Sequence, residues 1–354
     1  MGAESGRLPS CRGVPAAGVG QARPAEAQGP RRRLRETRVT DVHAHLAALP
    51  TRTNGCKMSR KIREGPLVRM VAWMQGLSLD DPEGSNRKYV ENLERELKAS
   101  KRVDKAVVLG MDGAYDDSGR LDEEKTHFLI SNDAVFAACE GRPCFLPGPS
   151  VNPLRRDAVD ELERCAARGG VLIKTLANAQ CFDPADERCR PFYRALARLK
   201  LPLLSHVGYE FALVGRDQSV GDPARLVPAL EEGVTVIAAH GGSMGLFLYE
   251  KYFPTMLELF KRYPNFYADA SALSLPNRMA GLWLLRRHPE LHERLLFGTD
   301  YPLQVYASAC LSGLAFGGFA RACAAKTRFD KQAEVLESLG IRLTTDFLDL
   351  EPVA

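Results

Sequence analysis

A single (β/α)8 barrel of the TIM type is the fold the sequence predicts, with a long insertion after the first strand and a disordered N-terminal tail. Three observations lead there. Eight short apolar runs bounded by turn residues alternate with stretches of helical periodicity. Polar residues that end several of these runs recur at multiples of one βαβ repeat, about 30 residues. The chain has 354 residues, 45% hydrophobic and 26% charged, which suits one large domain and excludes a disordered or fibrous chain.

Residues 1–38 hold eight Arg, three Glu and no Lys, a net charge of +5, and show no apolar periodicity. Such a segment cannot bury enough surface to offset its ordering entropy, so a disordered extension is expected. A transit peptide and a nucleic-acid arm are the competing readings. With the whole chain at +4, the body over 39–354 carries −1, which argues against nucleic acid as a partner.

The β runs are Val39–His45, Lys105–Met111, Phe145–Val151, Val171–Leu176, Pro202–Val207, Thr235–Ala239, Asn265–Ala270 and Leu295–Thr299. Between them, Leu154–Ala167 places Ala158, Leu162, Cys165 and Ala166 at helical steps. Pro191–Leu199, Asp222–Glu232 and Thr255–Arg262 read as further helices. Asp222-Pro223 opens its helix as N-cap followed by Pro at the first helical position. A doubly wound open sheet is the alternative to the barrel. From Leu46 to about Ser100 the chain makes an unusually long βα connection containing Leu67–Leu77 and Lys88–Ala99, and a long connection at this end usually shapes or covers a site.

The nine cysteines form no CxxC pair, and reduced thiols in a cytoplasmic protein are expected. The longest uncharged stretch, Tyr301 to Ala320, contains Pro302, Gln304, two Ser and three Gly, too broken for a spanning helix. No membrane partner is expected, and a homo-oligomer is left open.

Chemistry concentrates at the strand ends. Alternation along Asp41-Val42-His43-Ala44-His45 puts Asp41, His43 and His45 on one face. His206 ends the fifth run, His240 the sixth and Asp300 the eighth. In a closed barrel these ends converge on the face where active sites of this fold lie. Three histidines and an aspartate there suit a catalytic zinc or similar divalent ion. His127, His288 and His292 read as surface residues. Lys174 ends the fourth run; carbamylated, it would bridge two metals, as a cation it would hold an anion, and otherwise it pairs with a carboxylate. Substrate contacts are expected from loops after the strands: Asn152, Asn178, Gln180, Tyr209, Glu210 and Ser271. Arg52, Arg60, Arg63 and Arg69 of the insertion are candidates to bind a carboxylate.

The order DxHxH, Lys174, His206, His240-Gly241-Gly242 and Gly298-Thr299-Asp300-Tyr301-Pro302 resembles the amidohydrolase superfamily, in its amidohydrolase-2 branch. The resemblance covers Val39 to Leu348. It implies His43, His45, His206 and Asp300 as metal ligands, Asp300 also handling a proton, and His240 as an acid/base or polarising group. One divalent ion, zinc or else manganese, is expected, with a second only if Lys174 is carbamylated. Hydrolysis of an amide, lactone or ester-like bond of a small molecule is the reaction expected, with a metal-dependent decarboxylase as the alternative. An acidic Glu210 would disfavour an anionic substrate if it points inward. A catalytically dead barrel acting as a binding protein would lack a ligand, and none is missing.

Overall fold

The structure, a computed structural model, describes residues 39–215 and 217–344; the expected basic tail lies outside them. Eight parallel strands carry the fold: β1 Val39–His45, β2 Val103–Leu109, β3 Phe145–Gly148, β4 Ile173–Thr175, β5 Leu203–Ser205, β6 Val236–Ala238, β7 Phe266–Asp269 and β8 Leu295–Leu296. They pair in the order β1-β2-β3 and β4-β5-β6-β7-β8. Two seams join the halves. At one, Val171 N donates to Pro147 O and Lys174 N to Pro149 O. At the other, Val42 N donates to Phe297 O and Asp300 N to His43 O. The eight strands thus close on themselves, as the sequence predicts.

Each strand presents two faces. Val107, Leu109, Leu204, Ile237 and Leu296 form one small buried cluster with Val42 and Leu172. Their neighbours Ala106, Val108, Leu203, Val236 and Ala268 pack in a second, larger cluster with the helical residues Tyr89, Leu93, Leu162 and Leu196. The first cluster fills the barrel and the second joins barrel to helices, the two-layer burial this architecture requires. Lys174 is in register with Leu204, so its side chain shares the inner face.

β1 departs from simple alternation. Asp41 is in register with Ala106 and Ala44 with Val108, leaving two residues of β1 opposite Val107 alone. This bulge turns Val42 and His43 inward together and sends Asp41 to the outer face, where it accepts from Thr299 Oγ1 and Thr299 N. Asp41 is therefore not on the face of His43 and His45. It locks the loop after β8 to β1.

The insertion folds into helices Arg60–Arg63, Pro66–Gln75 and Pro82–Ala99. The last begins where Asp81 accepts from Gly84 N at 3.0 Å, with Pro82 at the first turn. Polar anchors dock it on the strand ends: Tyr89 Oη donates to His45 O at 2.7 Å, Asn86 brackets Leu49 N and O, and Gln75 Nε2 donates to Tyr301 Oη. A two-residue antiparallel bridge, Lys57–Met58 with Phe128–Leu129, ties it to the chain after β2. Among the described residues no helix is long and apolar enough to cross a membrane, and the eight described cysteines are free thiols.

Candidate metal centre and active site

The bulge aims His43 at the barrel mouth, and His45, in register with the inward Leu109, follows it. Their Nε2 atoms lie 3.1 Å apart, and Asp300 Oδ1 is 3.5 Å from the first and 3.3 Å from the second. His43, His45 and Asp300 thus form one cluster whose ligand atoms fall within 4.8 Å of one another. Gly298 permits the approach of the β8 chain, since a Cβ there would sit 2.9 Å from the Ser271 Cβ and 3.1 Å from that of His43. Asp300 is at φ 61° and His240 at φ 60°, a region costly for residues other than glycine. Bonds from Asp300 N to His43 O and from His240 N to Asp269 Oδ1 hold them there.

Asp269, at the end of β7, organises the rest. Burial alone would raise its pKa, but His43, Ser271 and the His240 amide outweigh that and hold it below the usual carboxylate value. As an ionised acceptor it takes the Nδ1 proton of His43 at 2.7 Å and the hydroxyl proton of Ser271. Ser271 Oγ then accepts from His240 Nδ1 at 2.8 Å, and His240 Nε2 accepts from His206 Nδ1 at 3.2 Å. These tautomers follow from matching donors to acceptors along the chain of contacts. One carboxylate thereby leaves bare lone pairs on His43 Nε2 and His206 Nε2.

That donor set fits a cation. His206 Nε2 is buried without a hydrogen-bond partner, and the nearest acid, Glu210 Oε2, lies 3.8 Å away. Electron-rich nitrogen and oxygen atoms crowd together, which a divalent ion relieves, and the carboxylate behind the imidazole is the usual support of such a ligand. Burial pushes the pKa values of His45, His206 and His240 down, so all three are neutral ligands or bases at neutral pH. Asp300 is held well below the ordinary range: burial would raise it, but the bond to His45 and the fields of His43, His45 and Lys174 win. His206 stands outside the 4.8 Å cluster of His43, His45 and Asp300.

A cavity of about 610 Å³ opens over these groups and is lined by His45, His206, Glu210, His240 and Asp300. Of the six residues expected to touch substrate, Glu210 alone is among its lining. Asn152 is buried, with its amide on Gly113 O and Gln180 O. Gln180 accepts from Leu176 N and donates to Ser150 Oγ. Ser271 belongs to the Asp269 relay. Asn178 donates to Gln218, which in turn clamps Glu210 N and O. Tyr209 is half-buried, its N–H on Met244 O and its carbonyl on Arg278. The polar atoms of Asn152, Gln180 and Ser271 are thus engaged in holding the loops, whereas Asn178 Oδ1 is buried without a hydrogen-bond partner and the bonds of Tyr209 are made by its backbone. The polarising role expected of His240 needs an Nε2 proton, whereas here Nε2 accepts from His206; the arrangement suits an acceptor.

Lys174 is fully buried and donates to Thr175 O at 3.3 Å. Burial lowers its pKa to about 8 against the opposing fields of Asp269, Asp300 and Glu210. His292, expected at the surface, is buried and bonded to Leu285 O. Arg52, Arg60, Arg63 and Arg69 are exposed, Arg60 pairing with Glu64 and Arg63 with Asp80.

Sequence reasoning missed Asp269 and Arg278. Asp269 had a signal: it ends a strand about one repeat after His240 and one before Asp300. Arg278, buried and donating to Ser243 O and Tyr209 O, sits in a connection with no periodicity to mark it.

No curated protein sequence matches the chain. Among solved structures it is similar to an uncharacterised TIM-barrel protein from Bordetella bronchiseptica, at 17% identity and TM-score 0.56, over 86% of this chain and 100% of that one. It is also similar to a probable 2-pyrone-4,6-dicarboxylic acid hydrolase from Acinetobacter baumannii, at 13% identity and TM-score 0.51, over 86% and 93%. A 2,6-dihydroxybenzoate decarboxylase from Rhizobium aligns at 16% identity and TM-score 0.47, over 86% and 98%. The first two likenesses speak for the fold and leave the reaction open. The amidohydrolase family model matches residues 40–331, from the first barrel strand into the helix Arg328–Ser338, and the chain accordingly belongs to the amidohydrolase-2 family of enzymes.

Proposed function

We propose that the protein is a metal-dependent hydrolase of an amide, lactone or ester-like bond in a small uncharged molecule. The observation that supports hydrolysis over decarboxylation is the charge of the cavity wall. Glu210 faces inward, its Oε1 held by Leu213 N at 2.8 Å and its Oε2 toward His206. Asp300 is the other acid, and among the described lining residues Lys61, an exposed side chain, is the cation. A carboxylate substrate would enter beside the Glu210 carboxylate, and the buried cations Lys174 and Arg278 are not among the residues lining the cavity.

His43, His45 and Asp300 would hold the ion, with His206 Nε2 free to join. A divalent ion bound there supplies Lewis acidity and brings the pKa of water toward neutrality. Asp300, ionised at neutral pH, accepts the proton as the water oxygen bonds to the carbonyl carbon, then delivers it to the departing nitrogen or oxygen as that bond breaks. His240 lines the same wall as a neutral imidazole whose Nε2 accepts from His206 Nδ1 and so orients that ring. The insertion contributes Leu49, Ile62, Val68 and Val71 to the wall of the cavity over the site. The test is a pH-stat assay of the zinc-loaded protein with γ-lactones and acyl anilides, set beside carbon dioxide release from hydroxybenzoates. Proton release from a lactone or anilide, lost in Asp300→Asn, supports the reading. Carbon dioxide release without any hydrolysis overturns it.

A further inference from the structure

Away from the histidines, the cavity changes character. Its wall is built by Leu49, Ile62, Val68 and Val71 of the insertion, Phe128 of the antiparallel bridge and Leu213 of the loop after β5. The chamber is a built feature, not a gap between loosely placed loops. Asn86, Tyr89 and Gln75 pin the insertion to the strand ends, while Glu210 and Gln218 fold the loop after β5 back on itself. Its volume of about 610 Å³ lies within the range that encloses a drug-sized ligand, and far exceeds what an acetyl group or a small ring needs. The polar end is continuous with it, since His45, His206, His240 and Asp300 line the same space.

Resting on the hydrolase reading, we propose that the substrate is a neutral amphiphile. Its scissile carbonyl sits at the histidine end, and an alkyl or aryl group several carbons long fills the chamber under the insertion. Apolar walls favour such a group over a polar one, and among the described residues lining the cavity Lys61 is the one Lys or Arg to meet an anionic head.

The test measures binding on the metal-free protein and turnover on the zinc-loaded protein, so that the two readings fail separately. The probes are γ-butyrolactone, γ-octalactone, γ-decalactone and γ-phenyl-γ-butyrolactone, with benzoate as the anionic control. At about 0.8 kcal/mol per buried methylene, each added carbon tightens Kd about fourfold, and γ-decalactone binds at least ~100-fold more tightly than γ-butyrolactone. The phenyl lactone shows whether an aryl group shares the chamber. Val68→Phe narrows the chamber away from the histidines and weakens γ-decalactone at least ~10-fold while leaving γ-butyrolactone unchanged. Leu213→Phe repeats the test from the loop after β5 should the first variant not fold. A Kd independent of chain length, or benzoate binding as tightly as γ-decalactone, overturns the proposal even if the zinc-loaded protein opens short lactones. Long lactones that bind to the metal-free protein but are never opened leave the chamber standing and remove the hydrolase reading.

Discussion

Asp269→Asn is the substitution that probes the site most deeply, because it changes one charge and almost no volume. Asp269 accepts from His43 Nδ1 at 2.7 Å, from His240 N at 3.0 Å, and from the Ser271 amide and hydroxyl. An asparagine has one oxygen for these donors and presents an amide where the second carboxylate oxygen stood. Facing His43, that amide forces the imidazole proton onto Nε2, the atom aimed at His45 and Asp300. Facing Ser271, it reverses the relay through His240 and removes the lone pair from His206 Nε2. Each charge-assisted bond is worth roughly 1.5–3 kcal/mol, and losing one outer carboxylate typically costs about 10- to 100-fold in metal affinity. Competition for zinc against a chromophoric chelator should show a loss of that size, with a thermal melt confirming that the variant folds. Zinc affinity within about twofold of the parent in a folded variant would refute the tautomer relay.

Gly208 adopts φ 96°, and a Cβ there would lie 2.3 Å from Ser243 O, so Gly208→Ala should cost about 1–3 kcal/mol in urea unfolding; an unchanged midpoint would contradict the close approach. Burial pushes the Glu161 carboxyl up, but bonds from Arg164 and Asn132 outweigh it and leave it below its ordinary 4.5. Its stabilisation is therefore complete above about pH 4.5 and is lost on acidification. The melting-temperature gap between the parent and Glu161→Gln should narrow below that pH, and a gap constant from pH 3 to 7 would contradict it. Cys323 is exposed, whereas burial raises the Cys139 thiol to about 12. Cys323→Ser should remove one fast equivalent of disulfide-reagent labelling in the native protein, and unchanged labelling would contradict an accessible Cys323 thiol.

The barrel is legible in the sequence because each strand is a local event: an apolar run ending in a turn. The helix expected to start at Leu154 starts at Ala158, since Asn152 Oδ1 first captures Leu154 N and draws residues 153–157 into turns. His43, His45 and Asp300 are legible for a related reason. They stand at strand ends, and a closed barrel brings such ends together whatever the loops do. The outward turn of Asp41 is not legible, because the bulge is a property of the pairing between β1 and β2 and not of either strand. Asn152, Gln180 and Ser271 were plausible contacts by position alone. Only the tertiary structure reveals that Gly113, Leu176 and Asp269 already occupy their polar atoms. The insertion's role was visible from its length, but its apolar lining becomes a chamber only once three helices dock on the barrel mouth.

The metal content of the chain is the most direct test of the central claim that His43, His45 and Asp300 gather to hold a divalent ion. Protein reconstituted with zinc or manganese and freed of excess should carry about one ion per chain, the count of a mononuclear catalytic site. The His43→Ala/His45→Ala double variant, folded by its melt, should carry none. Protein that binds no ion after reconstitution, or a double variant that keeps it, would contradict the account.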